Sequence, residues 1–125
     1  MYKASIENRG DSRYYANTRH ADFVLDTEGN GANPVDTMLA SLCGCLGHYV
    51  RDYLIEHQIS YCEFTINSEA KVTPDKSKLD KIDILVNLKD VVLSDQQSGE
   101  LLRFLDNCKI NKILKINPGV VISLG

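Results

Sequence analysis

The stretch NPVDTMLASLCGCLGHYV, Asn33 to Val50, decides how this chain folds. Asn33 suits the N-cap of a helix. Pro34 suits its first position, where a missing N–H costs nothing. Asp36 stands where a negative charge meets the positive end of the helix dipole. From there the residues are apolar or small nearly all round: Val35, Met38, Leu39, Ala40, Leu42, Cys43, Gly44, Cys45, Leu46, Gly47. A helix without a polar face is buried on every side. Gly44 and Gly47 each weaken it by about 1 kcal/mol relative to Ala, which is tolerable where another backbone comes close. The pattern runs to about His57, and its second half turns amphipathic through Arg51, Asp52, Glu56 and His57.

Strand patterns precede this helix. YKASIE alternates, with Ala4 and Ile6 on one face and Lys3, Ser5 and Glu7 on the other; NRGDS is a turn, and RYYANT and HADFVLD extend a meander. TEGNGAN is a loop. After the helix, YCEFTINSEAKV places Cys62, Phe64 and Ile66 on one side, and KIDILVNLKD alternates through Ile82, Ile84, Val86 and Leu88. With the TPDKSK turn between them they predict a hairpin with one buried face. Ser94 and Gln97 form a capping box ahead of Leu101, Leu102, Phe104 and Leu105. CKINKILKIN continues helically with Ile110, Ile113 and Leu114 on one face, and Asn107 is placed to cap it. Asn117-Pro118-Gly119 stops that helix, and VVISL, 120–124, reads as a final strand. The expected architecture is α+β in a single domain over residues 1–125.

One domain of this size offers a sheet to one side of the buried helix only. A second copy of the chain is the simplest cover for the other side, because most soluble oligomers are symmetric dimers. The sequence therefore predicts a homodimer.

Composition excludes several classes. Of the 125 residues 43% are hydrophobic and 25% charged, an ordinary globular balance. The formal net charge of -3 lacks the excess of Lys and Arg that a nucleic-acid footprint needs. No apolar run reaches the roughly 18 residues of a membrane span. MYKASIENRG, polar and alternating, is not a secretory signal, so the expected location is cytoplasmic. Four cysteines are too few for a disulfide scaffold. In a reducing compartment Cys43, Cys45, Cys62 and Cys108 start as free thiols.

NPVDTMLASLCGC, followed by FLDNCKINKIL, resembles the osmotically inducible protein and organic hydroperoxide resistance (OsmC/Ohr) family. The family pattern is a Pro near the start of a central helix, an acid shortly after, a small-and-apolar run and a cysteine, with a second cysteine opening a later helix. Those positions fall on Pro34, Asp36, MLASLCG, Cys45 and Cys108. The resemblance implies an intertwined homodimer with central helices inside, and a thiol peroxidase acting on organic hydroperoxides without a cofactor. Cys45 would be the attacking thiolate and Cys108 the resolving thiol, with a dithiol partner as reductant. A thiolate needs a positive neighbour, and a sulfenic acid needs a second thiol within reach. The resemblance also implies an Arg held by the acid. Here Asp36 replaces a Glu, and Arg9, Arg13 and Arg19 are the available cations, of which we assign Arg19 in NTRHAD. Asp36 and Cys45 are about two and a half turns apart, on opposite helix faces, so an Arg or the partner chain must bridge them. CKIN lacks the Pro common after the second cysteine, which points to a divergent branch.

Plainer readings stand beside these. Asp36 is a good cap acid by position alone. Cys43 and Cys62 read as core residues. Cys45 and His48 have a chelating i, i+3 spacing, with His20 and His57 elsewhere, yet there is no Cys-x-x-Cys pair. A metal-binding protein and a non-enzymatic binder of small apolar ligands are the competing functions. Tyr49, Tyr53, Phe23 and Phe104 read as core, interface or pocket lining.

Overall fold

The computed structural model describes residues 1–59 and 62–125. The chain divides into two units, Met1–Ala40 and Ser41–Gly125.

Alternation builds the first unit. Strands β1 (Ala4–Asn8), β2 (Arg13–Thr18) and β3 (Asp22–Asp26) pair antiparallel in the order β1-β2-β3. Ile6 faces Ala16 and Ala16 faces Phe23, so one face of the sheet is apolar. The β1–β2 turn depends on Gly10, whose φ of 93° suits a residue without a Cβ. The Asn8 side chain closes that turn, accepting from the Gly10 amide at 3.1 Å and donating to Arg13 O at 2.9 Å. The buried Asp26 carboxylate accepts from the Glu28 amide at 2.7 Å and Ser12 Oγ at 3.4 Å, which anchors the following loop.

Helix α1 spans Pro34–Glu56. Asn33 caps it as expected: its Oδ1 accepts from the Val35 amide at 2.8 Å.

The second unit is α+β. It contains the part of α1 from Ser41 onward, the hairpin β4 (Phe64–Val72) and β5 (Leu79–Leu88), and helices α2 (Asp95–Leu105) and α3 (Lys109–Ile116). Tyr61, where the sequence places the start of the hairpin, lies outside the described residues. Leu42, Leu46, Val50, Tyr53 and Leu54 of α1 form the core with Cys62, Leu101, Leu105 and Cys108. Phe64, Ile66, Ile82, Ile84, Val86 and Leu88 of the hairpin pack against it, the single buried face that alternation demands. Burying each large aliphatic side chain contributes about 1.5–3 kcal/mol.

Three features differ from expectation. First, the glycines of α1 do not meet another backbone: Gly44 is exposed with Ser41, His48 and Arg51, on the side left for a second copy, and a Cβ on it would meet nothing within 4 Å. Gly47 faces the hairpin, where a Cβ would sit 3.5 Å from Phe64 Cε2 and 3.6 Å from Ile66 Cδ1. It abuts side chains rather than another backbone. Second, Cys108 itself occupies the N-cap of α3 in place of Asn107, because α2 ends in a tight turn. In that turn the Asn107 and Cys108 amides donate back to Phe104 O and Leu105 O, each at 3.1 Å.

Third, 120–124 is not a strand. Val121 and Leu124 are 95% and 98% exposed. A β-branched run becomes a strand only where a sheet edge receives it, and among the described residues none does.

The capping box of α2 is complete, with Gln97 N to Ser94 Oγ at 3.1 Å and Ser94 N to Gln97 Oε1 at 2.9 Å. Ser94→Ala is expected to destabilise the fold by about 1 kcal/mol, read as a lowered urea midpoint by circular dichroism.

Candidate functional site

Cys45, Tyr49 and Tyr53 of α1, and His57 just past its end, recur every four residues, so they form one row. Gln97, Glu100 and Phe104 of α2, followed by Cys108, form a second row. The two rows meet antiparallel. At one end Cys108 Sγ donates to Cys45 Sγ at 2.8 Å. In the middle the Tyr49 and Phe104 rings meet edge to face, centroids 5.5 Å apart at 64°. At the other end the Tyr53 hydroxyl lies 3.0 Å from Glu100 Oε2 and 3.3 Å from Gln97 O. The His57 ring stacks on Tyr53 at 4.0 Å, and its Nε2 stands 3.9 Å from Glu100 Oε2.

The sulfurs differ in their surroundings. Cys108 is fully buried and Cys45 half-buried. Both remain free thiols, the contact being longer than the roughly 2.05 Å of a disulfide. Burial, and then the hydrogen bond to Cys45, push the Cys108 thiol above its ordinary value of 9.0; the amides of Asn111 and Ile110 at the start of α3 oppose this without reversing it. Cys108 therefore keeps its proton, directed at Cys45. Burial also raises Tyr53 above 10.0, helped by the hydrogen bond to and the charge of Glu100.

These shifts carry a stability prediction. Both groups lose a proton to become anions, and both are raised in the folded chain. Between its unfolded and folded pKa each binds more protons folded than unfolded, so stability falls as pH rises. The stabilisation is fully present below 9.0 for Cys108 and below 10.0 for Tyr53, and is lost above those values. Under reducing conditions the urea midpoint should hold level up to about pH 9 and fall as the pH rises further. A midpoint that stays level or rises contradicts the assignment.

The remaining candidates are placed as follows. Cys62 is a core residue, its Sγ 3.1 Å from Glu63 O and 3.4 Å from Lys89 O. Cys43 is half-buried. His48 turns to Asp52, Nε2 to Oδ2 3.3 Å. Among the described residues no group of three or more His, Cys, Asp or Glu could hold a metal ion. Asp36 and Arg19 belong to the first unit. Asp36 is exposed in the first turn of α1. The Arg19 guanidinium lies 4.6 Å over the Tyr2 ring. No ion pair joins the two among the described residues.

Glu100 and the row it completes escaped the sequence reading. The available signal was the spacing of four from Cys45 to His57, matched by Glu100, Phe104 and Cys108.

Comparison with known proteins agrees with this architecture. The family model for OsmC-like protein matches residues 27–123. No curated protein matches the sequence. Among solved structures, an OsmC like protein from Mycoplasma pneumoniae superposes with a TM-score of 0.81 at 16% identity, over 94% of this chain and 89% of that one. The organic hydroperoxide resistance protein OhrB of Bacillus subtilis gives 0.66 at 21% identity, over 94% and 92%. The organic hydroperoxide resistance protein OsmC of Legionella pneumophila gives 0.62 at 17%, over 94% and 90%. At these identities the structural likeness is one of fold. The family match spans most of the sequence, and the chain belongs to the family of OsmC-like proteins.

Proposed function

We propose that this protein is a thiol peroxidase that reduces organic hydroperoxides, with Cys45 as nucleophile and Cys108 as resolving thiol. The 2.8 Å approach of the two sulfurs carries the reading. Of the pair, Cys45 is the less buried, so it is the one to meet the peroxide. The Cys45 thiolate attacks the distal oxygen of ROOH, the O–O bond breaks and RO⁻ leaves, taking a proton to give the alcohol. Cys45 becomes a sulfenic acid. The Cys108 sulfur displaces its hydroxyl, releasing water and forming the disulfide. A dithiol reductant then takes the disulfide bond and returns both thiols. Tyr49, Phe104 and the core around them give an apolar setting for an alkyl or aryl substituent.

The reading also takes the protein as a homodimer. The exposed face of α1 around Gly44 and the apolar segment 120–124 are surfaces that a second copy would cover. Sedimentation is expected to give twice the chain mass of 14.0 kDa. Val121→Lys with Ile122→Lys should move the mass toward that of the single chain.

The decisive experiment treats the reduced protein with an equivalent of cumene hydroperoxide and maps its peptides. A linked Cys45–Cys108 peptide with matching loss of thiol titre is expected. Unchanged thiols would rule the peroxidase out and favour a non-enzymatic binder.

A further inference from the structure

We propose that Tyr53 and Glu100 are positioning residues for the thiol pair, fixing the register of α2 on α1 so that Cys108 stands against Cys45. The inference rests on the assignment of Cys45 and Cys108 as the redox pair.

No covalent bond holds the sulfurs together in the reduced chain. Cys108 follows α2 directly, so its place depends on how α2 lies along α1. The apolar contacts of Leu101 and Leu105 attract without direction. A hydrogen bond is directional, and the one made by Tyr53 is well placed to set the register. Its hydroxyl comes from α1, and both of its partners, Glu100 Oε2 and Gln97 O, lie on α2. The Glu100 carboxylate is itself constrained: Gln96 Nε2 donates to its other oxygen at 3.2 Å, and His57, just past the end of α1, approaches Oε2. Tyr53 is only 2% exposed, so its hydroxyl has little water to turn to.

Disulfide geometry makes the register matter. A slip of one residue moves a helix by about 1.5 Å along its axis and rotates its side chains by about 100°. A disulfide requires Cβ atoms within about 3.5–4.5 Å. A slip of this kind carries Cys108 away from Cys45 and out of disulfide reach.

The test is the equilibrium of the full-length reduced protein with the glutathione couple: dithiol protein plus oxidised glutathione gives the Cys45–Cys108 disulfide plus two reduced glutathiones. Tyr53→Phe and Glu100→Ala should each lower the equilibrium constant about tenfold. Glu100→Gln, whose amide oxygen still accepts from the Tyr53 hydroxyl, should stay within about twofold. A purely structural role would destabilise reduced and oxidised forms alike and leave this constant unchanged. Lowered urea midpoints with unchanged constants in Tyr53→Phe and Glu100→Ala would therefore overturn the inference. If Tyr53→Phe does not fold, the contrast between Glu100→Ala and Glu100→Gln decides. A wild-type protein that equilibrates normally with glutathione but ignores hydroperoxide sinks the proposed activity alone. One that never forms the link overturns both.

Discussion

Cys45→Ser is expected to lose hydroperoxide reduction by on the order of 10⁴-fold while folding normally. Serine matches cysteine closely in size, and position 45 lies at the margin of the core, so packing changes little. The chemistry changes completely. A hydroxyl is not ionised at neutral pH and does not attack a peroxide oxygen, whereas a thiolate does. Peroxide remaining after incubation, measured with an iron–xylenol orange assay, should match the protein-free control. Peptide maps should contain no link to Cys108. Persistent consumption by this variant, with an unchanged urea midpoint, would move the nucleophile elsewhere, and Cys108 would be the next candidate.

Cys108→Ser should separate the two halves of the reaction. The serine hydroxyl can still donate to the Cys45 sulfur, so the first attack survives. The sulfenic acid then has no thiol within reach. Catalytic turnover should be lost: one equivalent of peroxide per chain converts Cys45 to the sulfenic acid, and excess peroxide consumes a second as it drives Cys45 to the sulfinic acid. Mass spectrometry of the Cys45 peptide should show two added oxygens, a product the wild type avoids under the same treatment. Undiminished turnover in this variant, with a dithiol reductant present, would show that Cys108 is not the resolving group. Cys43 is two residues along the same helix from Cys45 and points elsewhere, so it should not substitute.

The elements held by local chemistry were legible in the sequence. Asn33-Pro34 marks the start of α1, Ser94 with Gln97 marks α2, and alternation from Phe64 to Leu88 marks the hairpin. Each depends on neighbours within a few residues. Val120 to Leu124 has the same β-branched composition as a strand, yet pairing is a long-range property that composition cannot supply. The cap at Cys108 was displaced by one residue from the expected Asn107 because the tightness of the turn after α2 is a matter of backbone geometry. The meeting of Cys45 with Cys108 spans 63 positions and came from family resemblance, not from spacing. Glu100 reads in sequence as one more solvent-facing acid of an amphipathic helix. Only packing reveals that a buried tyrosine hydroxyl from α1 turns toward it.

The uncovered run Val120-Val121-Ile122-Ser123-Leu124 also has a consequence for handling the protein. It contains no charge and no proline, and it is rich in β-branched residues. Segments of this kind stack on copies of themselves into cross-β ladders. Ahead of the run the nearest charge is Lys115, on the last turn of α3, with Asn117-Pro118-Gly119 between them. Concentrated, unassembled chain should therefore become turbid and bind thioflavin T, and a charge at 121 should raise its solubility limit.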